Sequence, residues 1–239
     1  MSKITTQQIQ IHNNGVAIDS YLALPEKPKA SWGIVVIQEI FGVNTHIKDV
    51  TERFAKQGYI SIAPAIYQRS APGFEANYDA EGVRLGQIYK GQTKAEELTG
   101  DIQAAVDYLK TFSQVQKIGT IGFCFGGHVV YLAAGLDSVN ATASFYGGGI
   151  ATFRPGGGEP TVKITPHIAG KVYAFFGERD SLIPLPEIDE IEQALMKRNS
   201  DNRVFRYPET GHGFFCDRRD SYNKEASLDA WTKVLSLFS

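Results

Sequence analysis

A chain of 239 residues with 43% hydrophobic and 21% charged side chains has the composition of a globular protein with a large core, which excludes a disordered or fibrous one. Its 24 basic and 26 acidic residues leave a formal charge of -2, so no long-range attraction draws it to nucleic acid or to an anionic membrane. Neither partner is expected. No apolar stretch reaches the length of about 18 residues that spans a bilayer. The opening "MSKITTQQIQIHNN" lacks the apolar segment of a signal peptide, so a cytoplasmic protein is expected. A reducing compartment keeps Cys124 and Cys216 as thiols.

In chain order, "QQIQIHNN" and "VAIDSYLALP" alternate apolar and polar residues around a turn-like "NNG", which predicts an antiparallel hairpin closed off by Pro25, Lys27, Pro28 and Lys29. "WGIVVIQE" is a continuous apolar run, the mark of a strand covered on both faces. "YISIAPAIY", "KIGTIGF", "TASFYG" and "KVYAFFG" repeat it. Helical patterns lie between and after them: "THIKDVTERFAKQG" with a glycine stop, "TKAEELTGDIQAAVDYLKTF", "GHVVYLAAG", "PEIDEIEQALMKRN" and "SYNKEASLDAWTKVLSLF". The segment 147–167, "GGGIATFRPGGGEPTVKITPH", reads as a long irregular insertion of the kind that covers sites. Alternating strands and helices predict an α/β fold: a mostly parallel sheet with helices on both faces, formed by a single domain over 1–239. Chemistry is then expected beyond the carboxyl ends of the strands.

Gly122-Phe123-Cys124-Phe125-Gly126 follows a predicted strand and precedes a predicted helix. This is the context of a nucleophile elbow, in which flanking glycines let strand and helix pass and the helix N-terminus favours negative charge. The bland alternative is a buried, inert cysteine. Asp180 in "FFGERDSLIP" and His212 in "YPETGHGFF" each follow a core strand, so three strand ends carry a nucleophile, an acid and a base. Glu178 is the second candidate for the acid. His12, His46, His128 and His167 read as structural or solvent-facing, and no histidine pair has metal-site spacing, so neither metal nor cofactor is expected. "GFCFGG" also lacks the spacing of a dinucleotide fingerprint.

The order Cys124, Asp180, His212 resembles that of α/β-hydrolases. The chain further resembles the dienelactone hydrolase (carboxymethylenebutenolidase) family through "IVVIQEIFGVN", "APAIYQRSAPG", "GDIQAAVDYLK", "IGFCFGG", "GERDSLIP" and "YPETGHGF". That resemblance implies a cysteine hydrolase of a small lactone or ester working through a thioester. It implies that Glu39 governs the ionisation of a resting Cys124 thiol held towards it, and that the Ile40 and Phe125 N–H groups form the oxyanion hole. His212, oriented by Asp180, would activate the hydrolytic water. Family members grip the substrate carboxylate with arginines, one a few residues after the histidine. Here Cys216 and Asp217 stand at that point and Arg218 and Arg219 come slightly later. Arg84 in "EGVRLGQIYK" and Tyr67 are the other candidate substrate contacts. The alternatives are a broad carboxylesterase or thioesterase, a non-catalytic ligand-binding relative, or a redox sensor using both thiols. A monomer or weak homodimer is expected.

Overall fold

The protein is described here by a computed structural model covering residues 3–28 and 31–239; Met1, Ser2 and the predicted strand-closing Lys29 lie outside the described residues. The opening hairpin forms as predicted, with β1 (Ile4–Asn13) antiparallel to β2 (Val16–Pro25). β3 (Trp32–Ile37), β4 (Ile60–Pro64), β5 (Lys117–Phe123), β6 (Ala141–Phe145), β7 (Lys171–Gly177) and β8 (Arg203–Tyr207) complete one eight-stranded sheet in the order β1-β2-β4-β3-β5-β6-β7-β8. From β4 to β8 every pairing is parallel, and β2 joins β4 antiparallel. This is the architecture read from the alternating pattern.

The apolar runs are continuous because both faces of the sheet are covered. On β3, Ile34 and Val36 enter one core with Ile121 and Phe123, while Val35 and Ile37 enter another with Ile62 and Ile118. The first core is filled from α1 (Thr45–Gln57) and α6 (Lys224–Leu237), and the second from α3 (Ala95–Leu109) and α4 (Phe125–Ala133). α1 is bounded by local chemistry: the Asn44 side chain accepts from the His46 and Ile47 N–H groups, and Gly58 closes it at φ 101°. α2 (Ala80–Gly91) and α5 (Leu185–Arg198) complete the helices. None of the helices among the described residues is long and apolar enough to cross a membrane.

The 147–167 segment is folded rather than loose. It ends in a 3₁₀ helix, Thr161–His167, and is closed by Val162 N–H to Ile150 O (2.8 Å) and Thr161 N–H to Phe153 O (3.0 Å). Buried His128 on α4 pins it, its ring nitrogens meeting Gly148 O at 3.0 Å and Thr161 Oγ1 at 2.7 Å.

Candidate active site

Cys124 stands between β5 and α4 with φ 55° and ψ -117°, a conformation costly for a residue with a Cβ. Its surroundings hold it there. A Cβ on Gly122 would lie 2.1 Å from Gly126 O, and one on Gly126 would lie 2.4 Å from the Ile37 and Gln38 oxygens, so only glycines let the turn close against β3. The Cys124 N–H donates to Phe145 O at 3.0 Å, tying the turn to β6. The thiol is half-buried, and the first residue of the helix behind it is Phe125.

Asp180 and His212 come together from the ends of β7 and β8. His212 Nδ1 donates to Asp180 Oδ2 at 2.7 Å, and the other carboxylate oxygen accepts the Leu182 N–H at 2.8 Å. Arg179 N–H to Thr210 O, at 3.0 Å, joins the two loops that carry them. The Asp180 carboxylate is wholly buried, whereas Glu178 is half-buried and meets β8 only through its backbone. Burial drives His212 towards the neutral form, but the charges of Cys124 and Asp180 outweigh it and push its pKa up to about 10. His212 Nε2 is buried and has no partner among the described residues other than the neighbouring Cys124 thiol.

Glu39 follows β3 and is buried. A carboxylate in that position needs a partner, and Arg219 supplies it: Nη1 donates to Glu39 Oε1 at 3.0 Å. The guanidinium also lies over the Phe41 and Tyr78 rings at 5.9 and 5.5 Å. It fits because residue 213 is glycine, where a Cβ would meet Arg219 Nη1 at 2.6 Å. Ile40 is fixed from outside by α2, whose Gly86 packs so closely that a Cβ there would lie 2.4 Å from Ile40 O.

The chain matches the Dienelactone hydrolase family over residues 18–239. It belongs to the dienelactone hydrolase family. A Synechocystis sp. protein named, provisionally, a carboxymethylenebutenolidase is 52% identical over 98% of this chain and 96% of its own. A Yersinia pestis protein of the same provisional name is 32% identical over 96% of this chain and 86% of its own. Among solved structures, a provisionally named dienelactone hydrolase from Klebsiella pneumoniae superposes with a TM-score of 0.87 at 26% identity, covering 99% of this chain and 98% of that one. The chain is accordingly a hydrolase of carboxylic esters with the α/β-hydrolase fold.

Tyr67 reaches the cluster: it is buried, its ring stacks on Phe125 at 6.3 Å, and the charge of Cys124 acts on it. Arg84 does not join it. Its side chain is 58% exposed and pairs with Glu81 on the outer face of α2, because an arginine three residues from a glutamate on a solvated helix finds that partner first. The α2 cation that does reach the aromatic wall is Lys90, whose Nζ lies 5.5 Å from the Phe125 ring centroid and 5.7 Å from that of Phe153. Sequence reading left Arg219 as a late arginine, and "HGFFCDRRD" carries no sign of the turn that folds it back over Gly213. Sequence reading passed over Tyr146, whose buried ring meets that of His212 edge-on with centroids 5.1 Å apart; its one signal is an aromatic residue between a core strand and three glycines. A depression of about 590 Å³ beside the hairpin, lined by Asp19, Tyr21 and Lys48, holds none of these residues. Among the described residues no group of three or more His, Cys, Asp or Glu side chains could hold a metal ion.

Proposed function

We propose that this enzyme opens a small lactone or cleaves a small ester with Cys124 as nucleophile, through a Cys124, His212 and Asp180 triad and a thioester intermediate. The observation that carries the reading is the strained Cys124 backbone at the tip of β5, beside a His212 already oriented by Asp180.

In the free enzyme Arg219 occupies Glu39. A substrate carboxylate that competes for Arg219 releases Glu39, which takes the Cys124 proton. The thiolate attacks the carbonyl carbon, and the Ile40 and Phe125 N–H groups stabilise the oxyanion. Loss of one such donor costs about 10²- to 10³-fold in rate. The C–O bond then breaks, and the leaving oxygen takes a proton from the His212 imidazolium. In a lactone it stays on the acyl group.

The electrostatics suit both halves of the cycle. The negative charge of Cys124 is a principal cause of the raised His212 pKa, so His212 is an acid while the thiolate persists. Once the thioester forms that charge is gone, and the His212 pKa falls. His212 can then take a proton from water, whose oxygen attacks the thioester; the C–S bond breaks to release the acid product, and the sulfur takes back the proton held on Glu39, which leaves the thiol, ionised Glu39 and protonated His212 of the starting state. The unbroken sheet supports taking 1–239 as a single domain, and the reading places the enzyme in the cytoplasm as a monomer or weak homodimer.

The test is steady-state hydrolysis of a dienelactone beside a neutral p-nitrophenyl ester, with Cys124→Ala as control. Dienelactone turnover lost in the variant is the expected result. Ester turnover alone would keep the nucleophile and discard the carboxylate-bearing substrate; undiminished turnover in the variant would remove the mechanism.

A further inference from the structure

Away from the catalytic cluster, a groove of about 440 Å³ runs between the 3₁₀ helix Thr161–His167 and α5. That volume lies in the range of sites that hold small molecules. Val162 and Pro166 line it from the 3₁₀ helix and Ala194 from α5. Ile191 and Leu195 of α5 are wholly buried in the core, and Ala194 beside them carries only a methyl group, so the helix presents a hollow here. Thr165 also lines the groove, but its hydroxyl is engaged: it accepts from Tyr131 Oη at 2.6 Å and donates to Val162 O at 2.6 Å. Both walls are fixed before any ligand arrives. Tyr131 and, through Thr161, His128 tie the 3₁₀ helix to α4, while the Ala151 N–H donates to Glu187 Oε1 of α5 at 3.5 Å.

Cations converge on the groove from both walls, Lys163 from the 3₁₀ helix and Lys197 and Arg198 from the last turn of α5. The carbonyl end of α5 accounts for Lys197 and Arg198, since cations are favoured there. It does not account for Lys163 on the opposite wall. Among the described residues none of the three lies within 4.0 Å of a carboxylate oxygen, and Glu190 is the one acid in the lining. A chain with a formal charge of -2 does not gather three cations against one acid by composition alone. The two other depressions of similar size are different. In that of about 590 Å³, Lys48 is engaged by Glu75 at 2.6 Å and Asp19 stands beside them; in that of about 470 Å³, Arg218 shares the lining with Glu75 and Asp79.

We propose that this groove binds a small amphiphilic carboxylate, its apolar chain on Val162, Pro166 and Ala194 and its carboxylate among Lys163, Lys197 and Arg198. Burial of the chain supplies affinity, and the cations select an acid over a neutral molecule of the same length. The site is separate from Cys124 and does not depend on the cysteine mechanism.

The probe is octanoate, with 1-octanol as its neutral counterpart, titrated into the full chain and followed by the amide resonances of Lys163, Thr165, Ala194 and Lys197. Octanoate is expected to shift these resonances saturably and to bind about 10-fold or more tightly than octanol, the worth of one hydrogen bond to a charged group. Added salt should weaken octanoate and leave octanol unchanged. Ala194→Phe, which fills the groove, should abolish binding of both. Lys163→Glu combined with Arg198→Glu should weaken octanoate by about 10-fold or more and leave octanol within about twofold. Lys163 and Arg198 are exposed, so this pair decides the matter even where Ala194→Phe fails to fold. Equal affinity for octanol and octanoate overturns the proposal, as does octanoate binding that survives the charge reversals, or shifts confined to the residues around Cys124. Capture of anionic lipid vesicles without octanoate binding overturns it as well, since that marks a membrane-facing surface.

Discussion

The ground behind the Cys124 turn and the ground in front of it each hold an almost wholly buried histidine, and the two differ in charge. Burial drives both towards the neutral form, yet His128 behind is lowered to about 4 while His212 in front is raised to about 10. Behind, the ring meets a carbonyl and a threonine hydroxyl, with Lys90 and Arg154 pressing its pKa further down. In front, it faces the negative charges of an ionised Cys124 and of the Asp180 carboxylate. Burial therefore does not decide what a histidine does; the charges that share its burial do. The rear region spends its histidine on anchoring the 147–167 segment, and the front region orients its own against Asp180, where the proposed mechanism uses it as acid and base.

Replacing Cys124 by Ala acts only on the front region. Turnover should fall by about 10⁴-fold or more with little change in melting temperature. NMR titration of the same variant should show His212 moving down from about 10 while His128 stays near 4. A His212 that does not move would break the comparison. Asp180→Asn, which leaves His212 without the acceptor that fixes its ring, should lower kcat/KM by about 10²- to 10⁴-fold.

Behind the turn the effect should fall on stability. His128→Ala should cost about 2–4 kcal/mol in chemical denaturation and open the 147–167 segment to proteolysis, with a smaller effect on turnover. The pH dependence has opposite signs in the two regions. His128 is lowered from 6.5 to about 4, so the unfolded chain binds the extra proton between these values. Stability should drop as the pH falls from 6.5 towards 4, by about 3 kcal/mol, and His128→Phe should lose that dependence. His212 is raised from 6.5 to about 10, so its contribution is complete below 6.5 and is lost as the pH rises through 10. The smallest effect belongs to Arg84→Ala: an exposed pair with Glu81 contributes little, and kcat/KM should stay within about twofold.

The strands, helices and hairpin were legible because a sheet covered on both faces leaves continuous apolar runs, and turn residues separate them. Cys124, Asp180 and His212 were legible for a related reason, since each follows such a run and strand ends converge in a parallel sheet. Three other residues depended on features that periodicity does not carry. Arg219 reaches Glu39 through an irregular turn and a missing Cβ at Gly213. Tyr146 is marked by a backbone angle rather than by a motif. Arg84 has the right residue type on the right helix, but Glu81 holds it outside.

Rapid quenching during turnover of a p-nitrophenyl ester whose acyl group carries a free carboxylate, followed by intact-protein and peptide mass spectrometry, tests the cysteine mechanism most directly. The account predicts an acyl thioester on Cys124 that forms in a burst, decays at the turnover rate and is absent from Cys124→Ala. Turnover with no adduct on Cys124, or an alanine variant that works as fast as the wild-type protein, would contradict it.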